Sequence, residues 1–249
     1  MIDLTLKYDR NNIPILSNND IEDVVEAICR DFSPSLLCEP QAIDVEELSE
    51  GYINLHTDYA NLSHRDFIWG MTVFENTIIL AYDKERREIY EVPTKANTIV
   101  IDSSLLSDRE HALRSTFGHE IGHYMFHSAY YLRNTSQYRL PLDNDATRGF
   151  VLCGKKQVAG DGNGPKKLKT DKDWLEHQAK YFSAAILMPK TAMKIVLSDL
   201  ENLPDGIIAT EVSRIFNVSI ESAKYRIKDL RRIHSIPRSS QNSSQLKFL

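Results

Sequence analysis

The sequence predicts an α+β fold: a small, mostly antiparallel sheet packed on a pair of helices, followed by a helical C-terminal module. Three observations point there. Residues 52–102 carry short β-branched and aromatic runs divided by turn-formers. The stretches on either side place apolar residues at helical spacing. No internal repeat indicates a solenoid.

Taken in order, Ile21, Val24, Val25, Ile28 and Phe32 predict an amphipathic helix over 21–32. Asp44 with Glu47 reads as a capping box opening a short helix that Gly51 ends. Strands are expected over 52–56, 67–74, 77–82, 89–92 and 98–101, with Asn61, Asn76 and the charged 83–87 cluster as turns. Ser107 and Glu110 form another capping box, opening a helix to about His127. Residues 128–172 read as irregular, and the Lys/Gly-rich stretch 154–173 as a mobile loop. Helix resumes over 174–200 with a break at Pro189, and Pro204-Asp205-Gly206 marks a boundary. The expected organisation is therefore a main domain over 1–203, a helix–turn–helix-like module over 204–236 and a disordered polar tail over 237–249.

Composition narrows the classes of function. The 249 residues are 42% hydrophobic and 26% charged, which suits a core-forming chain and not a disordered one. A net charge of −5 argues against binding nucleic acid through bulk charge. No apolar run approaches membrane-spanning length, and the first residues lack the apolar core of a secretory signal. Cys29, Cys38 and Cys153 are odd in number and widely spaced, which suits a reducing compartment. A soluble, cytoplasmic protein with no membrane partner is expected.

The motif that carries chemistry is His119-Glu120-Ile121-Gly122-His123, an HExxH on a predicted helix. Histidines at i and i+4 share a face, so both rings can converge on one ion, and Glu120 can take a proton from water activated there. His127 continues the series but lies about 12 Å along the axis from His119, too far to share one ion; it reads as a supporting or core residue. A third ligand must come from elsewhere: Glu176, His177, Asp143, Asp145, Asp171 and Asp173 are the candidates. Glu176 stands in the first turn of the next long helix and could complete a two-His, one-Glu set. It could equally complete a capping box with Asp173, and spacing does not decide between the two.

The stretches RSTFGHEIGHYMFH (114–127) and EHQAKYFSAAILMP (176–189) resemble the two signature segments of the ImmA/IrrE family of bacterial metallopeptidases. The resemblance runs over about residues 20–233 and includes Phe216-Asn217-Val218-Ser219 with Ala223, Arg226 and Leu230. It implies a zincin-like helix pair and one zinc ion, with manganese as the alternative. His119, His123 and Glu176 would be the ligands and Glu120 the general base. It also implies a regulatory endopeptidase whose protein substrate is a helix–turn–helix repressor in a mobile-element or stress response, with low basal activity. One departure is the stretch between His127 and Glu176, longer than in compact members.

The last predicted helix, capped by Ser219, carries Lys224, Arg226, Lys228, Arg231 and Arg232 against Glu221 and Asp229. That pattern fits a DNA-reading helix or a solvated face, so the alternative reading is a non-catalytic, metal-stabilised transcriptional regulator or protein-binding module acting through 207–233. The lysines of 155–172 match no phosphate-binding loop. Cys153 reads as buried or idle, Trp69 and Trp174 as core anchors, and Tyr124, His127, Tyr130 and Tyr131 as equal candidates for facing an oxyanion.

Overall fold

A computed structural model describes residues 4–132, 149–159 and 168–233. Helix α1 (Asn18–Phe32) opens on a reciprocal cap between Ser17 and Asp20, and its Ile21, Val25 and Ile28 are buried. Two short helices follow, α2 (Ser35–Cys38) and α3 (Val45–Glu47). Asp44 caps α3 as expected, accepting from the Glu46 and Glu47 amides. Gly51 does not end it, because a π-helical turn over Leu48–Tyr52 carries the helix on. The strand expected over 52–56 is displaced in consequence. Ile53 and Leu55 alternate like a strand but are the buried exit of that turn, and β1 is His56–Ala60.

The next four strands fall on the predicted runs: β2 (Ile68–Val73), β3 (Thr77–Asp83), β4 (Glu88–Thr94) and β5 (Thr98–Asp102). A last strand, β6 (Phe150–Gly154), lies in the stretch expected to be irregular, followed by the short helix α5 (Lys155–Ala159). Polar composition on both sides hid it, yet Phe150, Val151 and Cys153 are buried. The main sheet has the order β1-β5-β2-β6 and is mixed, not simply antiparallel: β2 pairs antiparallel with β5 and β6, while β1 runs parallel to β5. The long excursion through β2–β4 is what lets the chain return parallel to β1. The hairpin β3–β4 forms a second, two-stranded sheet.

Strand alternation divides the labour of the main sheet. Met71, Val73, Val100 and Phe150 pack with Ile79 and Ala81 of the hairpin. Ile99, Ile101, Val151 and Cys153 join the larger core, in which α4 (Glu110–Tyr131) is central. The Ser107 box does not form: Asp102 caps a 3-10 turn over Ser103–Leu105, and α4 begins after Asp108, which has positive φ. Against its other side lies α6 (Asp171–Leu187), then α7 (Lys190–Asp199) beyond Pro189. Helices α8 (Asp205–Phe216) and α9 (Ile220–Ile233) are joined through left-handed Asn217, and Ser219 caps α9 as predicted. Their Ile208, Val212, Ala223 and Leu230 belong to the same core as α1, α4 and α6. Trp69 is buried as expected, but Trp174 is 44% exposed, set edge-on to His177. The expected tail and most of the expected loop lie outside the described residues. Among those described, no helix is long and apolar enough to cross a membrane.

Two glycines set the α4–α6 distance. A Cβ at Gly118 would meet the Ser183 backbone at 3.1 Å, and one at Gly122, a turn later, the Ala179 Cα at 3.0 Å. Gly122→Val should therefore push α6 away and destabilise the fold by about 1–3 kcal/mol of overpacking, read from the urea midpoint.

Candidate metal centre

The HExxH turn lies in the middle of α4 with His119, Glu120 and His123 buried. The Nε2 atoms of His119 and His123 are 3.1 Å apart. Glu176 reaches in from α6, its Oε2 3.3 Å from His119 Nε2 and its Oε1 3.7 Å from His123 Nε2. The capping alternative does not hold: the α6 cap is made by Thr170 and Asp173, which bond each other reciprocally, and Glu176 takes no part in it. His177 turns away to Asn18, and Asp171 accepts from Asn11. Asp143 and Asp145 lie outside the described residues.

The hydrogen bonds behind His123 determine which of its lone pairs faces Glu176. Gln178 Nε2 donates to the Pro14 carbonyl at 2.9 Å; a carbonyl only accepts, so the amide orientation is fixed. Gln178 Oε1 must then accept from His127 Nε2, 3.1 Å away. His127 is neutral, since burial pushes its pKa down to about 3, so its Nδ1 is an acceptor and takes the Nδ1–H of His123 at 2.8 Å. His123 Nε2 is left with its lone pair pointing toward His119 and Glu176. His127 is thus a supporting residue, as its spacing implied, and Gln178 completes a relay that sequence reasoning missed.

The donor set could hold a metal ion. Nitrogen and oxygen ligands in a tetrahedral shell lie about 3.3–3.5 Å from one another, close to the separations seen here. Both Glu176 carboxylate oxygens are shut off from solvent with no hydrogen-bond donor, a costly arrangement unless a cation compensates it. His119 Nδ1 is buried without a partner, so this histidine lacks the outer support that His123 has.

Glu120 leans the other way, toward the sheet. Thr72 Oγ1 donates to its Oε2 at 2.7 Å, whereas Oε1 is buried with no hydrogen-bond partner. Gly70 makes room for it, because any Cβ there would collide with Glu120 Oε1 and Thr116. Burial pushes the Glu120 carboxyl up to about 7, against the opposing pull of His119 and Thr72. Such a value suits a group that must accept and return a proton near neutrality.

Cys153, read from the sequence as buried or idle, is buried beside this carboxylate, and its sulfur belongs to one group of donor atoms with His119, His123 and Glu176, all within 4.8 Å of one another. Nothing local marks it: β6 reaches α4 only through the pairing of β6 with β2. Of the four residues weighed against an oxyanion, His127 has both nitrogens engaged. Tyr131 is buried against Phe74 with its hydroxyl raised well above its usual pKa by burial and by the charge of Glu176. Tyr124 is affected by burial alone.

The C-terminal cations do not form the single exposed face the sequence allows. Arg226 is 2% exposed and forks onto Glu22, and Arg231 pairs with Asp205 at 2.8 Å. Lys224, Lys228 and Arg232 are exposed.

No protein-family model matches the chain, and comparison with curated proteins finds no match.

If the group holds a metal ion, His127→Ala or Gln178→Ala should weaken its uptake about 10–100-fold, as loss of an outer partner does elsewhere. Competition with a chromophoric chelator would measure it. His127→Ala should cost more than Gln178→Ala, because it removes the acceptor for His123 itself.

Proposed function

We propose that this chain is a zinc-dependent endopeptidase, with His119, His123 and Glu176 as ligands and Glu120 as general base. The observation that carries the reading is the relay from Pro14 through Gln178 and His127, which presents the His123 Nε2 lone pair to a buried carboxylate lacking any donor. Bound there, zinc supplies Lewis acidity, lowering the pKa of water and polarising the scissile carbonyl. The protein's own groups do the rest. Thr72 fixes one oxygen of Glu120 and leaves the other to accept the proton of the attacking water. Glu120 then returns that proton to the amine as the C–N bond breaks. Tyr131, whose ring stands edge-on to that of His123 with centroids 6.3 Å apart, is the candidate for meeting the developing oxyanion.

On this reading the sheet, α4 and α6 form a zincin-like core, and α8 with α9 a helix–turn–helix-like module. The resemblance of residues 114–127 and 176–189 to ImmA/IrrE peptidases makes the substrate a helix–turn–helix repressor in the bacterial cytoplasm. The test is metal analysis of the purified protein beside His123→Ala and Glu176→Ala, with cleavage assayed on such a repressor. About one zinc per chain, lost in both variants, together with cleavage by wild type alone, is expected. Zinc without cleavage would leave a metal site and remove the peptidase. No zinc uptake would remove both.

A further inference from the structure

Peptidase chemistry needs only the three ligands already described, yet a fourth donor of different chemistry shares their pocket. The Cys153 sulfur lies within 4.8 Å of every other donor atom of the group, and the residue is wholly buried. Its position is set by the sheet. β2 pairs Gly70 with Cys153 and Ile68 with Gly154, so Trp69 is an extra residue in β2. The pairing is regular from Thr72–Val151 to Gly70–Cys153, so strand alternation puts Cys153 on the face that Val151 turns to the core around α4. A second, independent observation also points to a cation: both Glu176 oxygens, shut off from solvent in the same pocket, have no hydrogen-bond donor. Sulfur at about 2.3 Å from zinc sits about 3.6 Å from its companion nitrogens, so with no two donor atoms more than 4.8 Å apart, closing the shell takes a shift of at most about 1 Å.

We infer that Cys153 is the fourth protein ligand of this centre in its resting state, giving a closed His119, His123, Glu176, Cys153 shell. The inference rests on the metal site proposed above and adds its regulation. On closure the S–H bond would break, a sulfur–metal bond would form and the proton would leave with the displaced water, so charge is conserved. The closed state lacks the open coordination position that hydrolysis requires. Restraint is then built into the site itself, and release of the thiolate restores the open position.

Cobalt(II) in place of zinc tests this without any substrate. The full reduced chain, loaded to one cobalt, should show the intense near-ultraviolet charge-transfer band of a thiolate on cobalt. Cys153→Ser and Cys153→Ala should abolish the band while still holding one cobalt through His119, His123 and Glu176. Cys38→Ser should leave it unchanged. Peptide cleavage by the zinc form of Cys153→Ala should rise above wild type. Stoichiometric cobalt in wild type without the band would overturn the inference and leave the three-ligand site standing. A band that survives in both Cys153 variants would overturn it too. A wild type that takes up no cobalt would remove the metal site and the inference with it.

Discussion

Arg226→Ala is expected to destabilise the protein by about 3–5 kcal/mol, the cost of stranding one buried charge of a pair. Arg226 and Glu22 are both out of solvent, and the guanidinium meets the carboxylate through two nitrogens, at 2.5 and 2.9 Å. Its Nε donates to the Met188 carbonyl at 3.1 Å, and the Tyr181 hydroxyl donates to the same carboxylate at 2.6 Å. The cluster ties α9 to α1 and to the end of α6. Urea unfolding should show Arg226→Lys to be damaging as well, since an ammonium cannot reproduce the fork. Replacing the pair together, as Arg226→Met with Glu22→Leu, should recover most of the loss. A double variant no better than the single would mean that packing of the Arg226 stem, not a lone Glu22 charge, sets the cost. The result bears on nucleic-acid binding: a variant at Arg226 would report unfolding, so the informative set is Lys224, Lys228 and Arg232. Unaltered binding of a promoter fragment after all three are replaced would remove a DNA-reading role for α9.

The second large effect concerns the proposed peptidase reaction. Glu120→Gln keeps the shape of the side chain and an oxygen to accept from Thr72, but loses the proton acceptor. Cleavage should fall by about 10²–10⁴-fold, the usual worth of a general base, with zinc content unchanged. Quantitative cleavage kinetics beside metal analysis would check both halves. Zinc lost along with activity would mean that Glu120 holds the site together and does not move a proton. Full biological activity in the variant would favour the non-catalytic regulator.

Much of this architecture was legible because local signals were strong. The Ser219 cap, the break at Pro189 and the β-branched runs of β2–β5 each act within a few residues, so the sequence resolves them. The failures have one cause in common: a distant partner outweighed the local pattern. Ile53 and Leu55 alternate like a strand but serve the exit of a helix, and the Ser107 box yields to a 3-10 turn that Asp102 organises. Phe150–Gly154 is a strand only because β2 lies beside it.

The site divides the same way. By itself the sequence determined that His119 and His123 share a helix face with Glu120 between them, because α-helical periodicity fixes that within one turn. Its spacing left Glu176 open, it read Cys153 as buried or idle, and it passed over Gln178 and Thr72. Only the tertiary structure brings those residues to one place. Gly118 and Gly122 let α6 approach close enough to bring Glu176 in, and Gly70 lets the sheet approach closely enough for Thr72 to hold Glu120. A buried carboxylate becomes a ligand or a base according to what surrounds it, and those surroundings are assembled from segments far apart in the chain.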